Sequence, residues 1–290
     1  MGTLYVVGTP IGNLGDMTPR AVQTLRSVSL IAAEDTRHTA RLLQRFDIET
    51  PMISYHQHNE VRRTGRLLDA LAEGDVALVT DAGTPAVSDP GAVVVRAVRQ
   101  AGYPVVPIPG PSSLVAAVSA SGLVDGPFLF QGFLPRAGEE RRVALARGAA
   151  SGVPLVLFES PNRLIETLGD LQVWFGNVEA VVARELTKLH EDIRSGPLAE
   201  LHDHFASEDD VRGEICLVVE AAVIVDKETG EDPSALARRL LADGMKPSKA
   251  ARELAKITGM TSERAYEVIR SAQDPAPRVT NPEKLNEGGD

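Results

Sequence analysis

The chain has 290 residues, 43% of them hydrophobic and 24% charged, the balance of an ordinary soluble globular protein with room for two α/β domains and a small appendage. No run of eighteen apolar residues exists to span a membrane, and Cys216, the only cysteine, rules out a disulfide framework or a cysteine-based zinc site within one chain. A net charge of −10 argues against a protein that coats nucleic acid non-specifically. Met1 leads straight into the strand-like Leu4-Tyr5-Val6-Val7 with no basic n-region or cleavage signal, which, with the lone cysteine, predicts a cytoplasmic protein.

Short apolar runs at 4–7, 28–33, 52–54, 76–80 and 105–108 alternate with helical patterns at 19–26, 39–46, 62–72 and 92–100. This alternation predicts a mostly parallel sheet covered by helices. Two loops follow strands where open α/β sheets bind ligands. The first, Gly8-Thr9-Pro10-Ile11-Gly12-Asn13-Leu14-Gly15, lets backbone amides approach a ligand closely, but matches neither the dinucleotide fingerprint nor the nucleoside-triphosphate loop. Thr18 before Pro19 is an N-cap followed by proline at the first helical position. The second, Thr80-Asp81-Ala82-Gly83-Thr84-Pro85, places Asp81 to accept from a hydroxyl or ammonium and Thr84 to donate. The competing reading of this loop is a turn in which Asp89 caps the next helix.

The seam Pro107-Ile108-Pro109-Gly110-Pro111-Ser112-Ser113 reads as a hinge, followed by a small-residue helix at 114–120. A second α/β unit is expected, with strands at 128–133, 155–158, 180–183 and 215–221 and helices at 139–149, 162–174 and 198–205. After an acidic linker at 230–233 come three helical patterns at 233–242, 246–258 and 262–272, with a glycine turn at Gly259. The polar stretch 274–290 is expected to be disordered. Between residues 234 and 272, eight lysines and arginines stand against four acids, so the rest of the chain carries −14. A basic three-helix module on an acidic body is either a nucleic-acid handle or a solvated helical face.

The blocks VGTPIGNLGDMTPRA, AAEDTRHTARLL, TDAGTPAVSDPG and PIPGPSS, followed in order by LFQGFLPR, FESPNRL, VARELTKLHE and GEICLVVE, closely resemble the tetrapyrrole-methylase superfamily over residues 3–221. Within it, the EDTR, DAGTP, ESPNR and RELTK-HE blocks resemble ribosomal RNA small subunit methyltransferase I, and the tail resembles that family's small C-terminal helical domain. The resemblance implies a two-domain tetrapyrrole-methylase-like α/β fold, divided at 1–112, 113–225 and 232–273. It implies S-adenosylmethionine in the cleft, a homodimer, and 2′-O-ribose methylation of a cytidine of 16S rRNA, with the 30S subunit as partner. Carried over position by position, cofactor contacts are expected from Pro10, Asp81, Thr84, Ser112, Ser113, Leu114, Phe158 and Ala183. A tetrapyrrole C-methyltransferase shares the fold and loops, and a DNA-binding regulator sensing a small molecule is the alternative of another class.

Methyl transfer to a ribose oxygen requires alignment and a base, and no metal. No metal-ligand spacing stands out; His56 and His58 are the nearest approach to one. Asp35 and Arg37, at the polar end of an apolar strand, are candidates for orienting the acceptor or contacting RNA, with Asp35 or Thr36 as a helix cap the alternative. Glu185 and His190 are candidate bases and Lys188 a candidate to steady a phosphate or oxyanion, with a surface ion-pair set the alternative. Arg163 either binds phosphate or pairs with Glu159, and Ser160 begins a helix rather than forming a nucleophile elbow. Arg184, Lys249 and Arg252 complete the candidate RNA contacts. Cys216 reads as a buried small hydrophobe.

Overall fold

The computed structural model describes residues 2–222, 233–258, 260 and 262–273. Most of the expected linker, Gly259 of the expected turn and the whole polar tail 274–290 lie outside the described residues. The chain separates into two compact units, Met1–Ala221 and Ala222–Asp290. Among the described residues no helix is long and apolar enough to cross a membrane.

The first sheet is made of strands of three or four residues, largely apolar on both faces, as a parallel sheet between two helix layers requires. Its strands are β1 (Leu4–Val7), β2 (Leu30–Ala33), β3 (Met52–Ser54), β4 (Val76–Val79) and β5 (Val105–Ile108), all parallel in the order β3-β2-β4-β1-β5. Alternation assigns the faces. Val7, Ile31, Ala33, Ala77 and Val79 pack with Leu25 of α1 (Pro19–Ser27) and Leu43 of α2 (Thr36–Arg45). Leu4, Ala32, Val76 and Leu78 pack with Leu67 and Leu71 of α3 (Glu60–Glu73) and Val94 and Val98 of α4 (Ala92–Gln100). Thr18 caps α1 as expected, its side chain accepting from the Ala21 N–H. Val28 donates its N–H to Thr24 and so closes α1, which delays β2 to Leu30. α2 begins three residues before the expected 39, because Asp35 caps it by accepting from the Arg37 N–H at 2.8 Å.

From α5 (Ser113–Ser121) the chain enters a second sheet of β6 (Leu129–Phe133), β7 (Leu155–Glu159), β8 (Glu179–Arg184), β9 (Asp192–Pro197) and β10 (Ile215–Val219). Its order is β6-β7-β10-β8-β9, and only β6 and β7 are parallel. The parallel arrangement expected from helix–strand alternation therefore ends with the first sheet. The unexpected strand is β9, whose Asp-Ile-Arg-Ser-Gly-Pro sequence shows no apolar run because it is an edge strand exposed along much of its length. Val156, Val181, Ala183, Cys216 and Val218 pack with Ala117 of α5. The alternate residues Leu155, Leu157, Val182 and Leu217 are buried as well. α6 (Gly138–Ala150), α7 (Leu164–Phe175) and α8 (Leu198–Ala206) complete this half, Gly148 of α6 lying directly against Leu155 and Phe175.

The second unit comprises α9 (Pro233–Ala242), α10 (Pro247–Thr258) and α11 (Ser262–Gln273), closed around Leu236, Leu240, Ala250, Ala251, Leu254, Ala265 and Ile269. In α10 the buried positions Ala250, Ala251, Leu254 and Thr258 define one face, and Lys249, Arg252 and Lys256 lie exposed on the other.

At the carboxyl ends of β1 and β5 two backbones touch. A Cβ on Gly8 would stand 2.8 Å from the Gly110 nitrogen, and one on Gly110 would stand 2.7 Å from the Gly8 oxygen. Gly8→Ala is expected to destabilise the protein by about 1–3 kcal/mol through overpacking, read as a lower urea midpoint with an unchanged m-value.

Candidate active site

The loops at the carboxyl end of the parallel sheet are tied to one another. Thr9 and Gly83 exchange backbone hydrogen bonds of 2.9 and 3.1 Å, and the Thr9 hydroxyl donates to the Thr80 carbonyl at 3.2 Å. The Asp35 N–H donates to the Asp81 carboxylate at 3.0 Å, while the Asp81 N–H donates to the Glu34 carboxylate at 3.4 Å. Each acid at the ends of β2 and β4 is thus held by the backbone beside the other. The loop after β4 is tight, with Ala86 and Ser88 in left-handed backbone at φ 68° and 64°. Such strain persists only where the surroundings over-determine it, and it collects at functional sites.

These loops form one wall of a cavity of about 430 Å³, and the second sheet supplies the other. Asp81, Thr84, Ser112, Ser113, Phe158 and Ala183, six of the eight expected cofactor contacts, line it. Pro10 and Leu114 are absent from the lining; Ile11, next to Pro10, takes part in it, and Leu114 packs against the core beneath α5. Carboxylates from both halves face the space: Glu34, Asp81 and Asp89 from the first, Glu159 and Glu214 from the second. Among the described residues no lysine, arginine or histidine lines it.

The acids differ in state. Burial pushes the Asp89 carboxyl up to about 6, and the nearby charges of Glu34 and Asp81 act in the same direction. Asp89 does not cap α4: the cap position is Gly91, with no side-chain hydrogen bond. Burial also raises Glu34 above the usual carboxylate range, against the Asp81 N–H that lowers it. Glu159 is buried and fully partnered, accepting from the Ser160 N–H at 2.8 Å and the Thr167 hydroxyl at 2.7 Å, with Arg163 at 3.5 Å. Burial pushes the Cys216 thiol up to about 12, which leaves it an inert apolar lining group.

The candidate acid–base residues lie elsewhere. Asp35 is held well below the usual carboxylate range by the Arg37 guanidinium, and this exposed pair caps α2 outside the cavity; its neighbour Glu34 is the lining group. Glu185 and Lys188 form a 2.8 Å ion pair, with Glu185 also accepting from the Glu214 N–H at 2.9 Å. The Lys188 hydrogen bond holds Glu185 below its ordinary value, so it is a weak base. Burial opposes the Lys188 charge, but Glu185 and Glu214 outweigh it and raise the ammonium. His190 is exposed. Arg163 turns inward and donates to the Leu134 and Pro135 carbonyls at 2.9 and 3.1 Å, and Arg184 pairs with Asp192 and Glu208. His56 and His58 stand edge to face at 5.9 Å.

Phe133 is a lining residue with no sequence signal of its own, whereas Asp89 is legible in sequence only as a possible helix cap and Glu34 only as part of the polar end of β2. Glu34 differs from Asp35 by one position, and only the strand register decides which of them faces the cavity.

Comparison with known proteins places this geometry. The model of the Tetrapyrrole (Corrin/Porphyrin) Methylases matches residues 3–202. A ribosomal RNA small subunit methyltransferase I from Synechocystis sp. is 47% identical over 92% of this chain and 97% of its own length. The chain belongs to the ribosomal RNA small subunit methyltransferase I family. The Pseudomonas aeruginosa member of the family is 46% identical over 92% of this chain and 96% of its own. In fold alone, this family member is similar to the uroporphyrin-III-C-methyltransferase of Thermus thermophilus, with a TM-score of 0.53 at 22% identity over 76% of this chain and 94% of that one.

The raised Asp89 carboxyl has a defined linkage. Its folded form holds a proton more tightly than the unfolded chain does, so the stability it contributes is present at low pH and lost as pH rises through about 6. Asp89→Asn is expected to match the wild type in melting temperature near pH 4 and to exceed it above roughly pH 6.5. A pH-independent difference between the two melting curves would refute this assignment.

Proposed function

We propose that the protein transfers the methyl group of S-adenosylmethionine to the 2′-oxygen of a cytidine in 16S rRNA. The observation that carries this reading is 46–47% identity over nearly the full length to members of the ribosomal RNA small subunit methyltransferase I family, joined to a cavity lined, among the described residues, by carboxylates and by no lysine, arginine or histidine. The residues fit that cofactor. A sulfonium bearing an α-ammonium group is a cation, and Glu34, Asp81 and Asp89 offer it opposite charge. The Ser112–Ser113 start of α5 offers backbone N–H groups suited to a carboxylate. Phe158, Ile11 and Leu186 give an apolar wall for an aromatic base. When bound, the cofactor supplies an electrophilic methyl group on a positively charged sulfur.

This chain's own part is to orient and to accept a proton. The clasp between Glu34 and Asp81 fixes two carboxylates across adjacent strand ends. Asp89 and Glu34, whose raised values bring them towards neutral pH, are the cavity groups suited to take the ribose hydroxyl proton. Lys188, linked at 3.3 Å to the lining residue Glu214, is the cation suited to steer an incoming phosphate.

The same reading places the protein in the cytoplasm, as a homodimer acting on 16S rRNA within the 30S subunit. The α/β halves 1–112 and 113–225 hold the cofactor, and the module 232–273 guides the RNA. Lys249, Arg252 and Lys256 form the exposed stripe of α10 suited to phosphate contacts.

Two measurements test it. With radiolabelled S-adenosylmethionine and 30S subunits or free 16S rRNA lacking the modification, label is expected in a ribose-methylated cytidine. Label in a porphyrinogen or precorrin instead would overturn the RNA reading. Replacing Lys249, Arg252 and Lys256 by alanine is expected to weaken RNA affinity and to flatten its dependence on log salt by roughly 2–3 units of slope. An unchanged slope would remove α10 from the RNA path.

A further inference from the structure

The LFQGF strand ends on a large aromatic side chain that no step above employs. Phe133 lines the cavity, yet it is 55% exposed. Exposure of a single apolar residue is common and by itself says nothing. The backbone that places it is what distinguishes it. β6 is bulged between Phe130 and Gly132, and Gly132 is left-handed at φ 64°. A Cβ on Gly132 would stand 2.8 Å from the Ser88 hydroxyl, so only glycine lets this strand reach the loop after β4. Bulges beside active sites re-aim the following side chain, and here that side chain is Phe133 at the mouth of the cavity.

The ring is backed and its backbone is fixed. Phe158 lies behind it at 5.8 Å between centroids, and Phe130 packs edge to face on Phe158 at 5.0 Å. The next two carbonyls, of Leu134 and Pro135, accept from Arg163, and Pro135 accepts from the buried Arg141 as well. Three residues beyond Phe133, Arg136 is exposed. A rigid aromatic face turned to solvent, with a cation close by in the chain, is the chemistry that recognises an unstacked nucleotide: the ring takes the base and the cation its phosphate.

We propose that Phe133 is the stacking platform for a nucleobase of the RNA acceptor as it enters the cavity. This rests on the rRNA reading above. The inner ring, Phe158, is the one available to the cofactor's adenine, whereas the outer face of Phe133 meets what arrives from solvent. Arg163 and Arg141 act on this contact as positioning residues, through the carbonyls they hold.

The test compares wild type, Phe133→Leu and Phe133→Tyr on unmodified 30S subunits, with the S-adenosylmethionine Kd measured calorimetrically on each protein. Phe133→Leu is expected to raise the KM for 30S by about tenfold, Phe133→Tyr to stay within about twofold of wild type, and the cofactor Kd to hold in all three. Equal KM values for the leucine and wild-type proteins would overturn the proposal. A weakened cofactor Kd in Phe133→Leu with an unchanged KM for 30S would overturn it too, by making the ring a wall of the cofactor site. Failure of the wild type itself to label RNA would instead sink the parent reading, and is seen before any variant is made.

Discussion

Backbone touching backbone at the carboxyl end of the parallel sheet is the constraint on which the rest of this structure depends. Gly8 against Gly110 and Thr9 bridged to Gly83 bring the ends of β1, β4 and β5 together without intervening side chains. That close approach leaves the polar groups of three loops converging on one space. A side chain at Gly8 or Gly110 would force the ends of β1 and β5 apart. Parallel strands make the convergence possible, because their carboxyl ends all lie on one side of the sheet.

The convergence has an electrostatic consequence. Glu34, Asp81 and Asp89 are gathered at one wall with no lysine, arginine or histidine among the described lining residues, and two of them are displaced upward in pKa by burial and mutual repulsion. A free protein tolerates this because backbone N–H groups hold Glu34 and Asp81, and because Asp89 is able to keep its proton at mildly acid pH. A bound cation relieves the same repulsion. The left-handed residues Ala86 and Ser88, and Glu185 and Thr187 across the cleft, follow the same pattern of local cost accepted where the two halves meet.

The second half contributes rigidity where the first contributes charge. Buried Arg141 donates to Asp170, to Pro135 and to Thr167, and Thr167 in turn holds Glu159. Removing one member would leave the others buried and unpaired, which is more costly than the pair is stabilising. This network holds the Pro135 carbonyl, just beyond the Phe133 end of β6, and the Glu159 carboxylate of the cavity wall. The likeness to a C-methyltransferase is one of fold alone, and fold alone does not fix the acceptor.

The sequence by itself determined the parallel first sheet, the capped start of α1, the three-helix terminal unit and six of the cavity-lining positions. Those rest on local signals: apolar runs, Thr-Pro at a helix start, glycine loops after strands, and family motifs of unusual length. Tertiary structure alone decided the rest. The antiparallel course of the second sheet and the polar edge strand β9 come from pairing over long separations, which no local period encodes. Whether Glu34 or Asp35 faces the cavity depends on one residue of register. Arg163 and Glu185 look available in sequence, yet one is consumed by carbonyls and the other by Lys188. Asp89 acquires its raised pKa from burial, and Phe133 its outward face from a bulge that only Gly132 permits against Ser88. Burial and orientation belong to the folded chain as a whole, and so they become legible only once the distant segments have met.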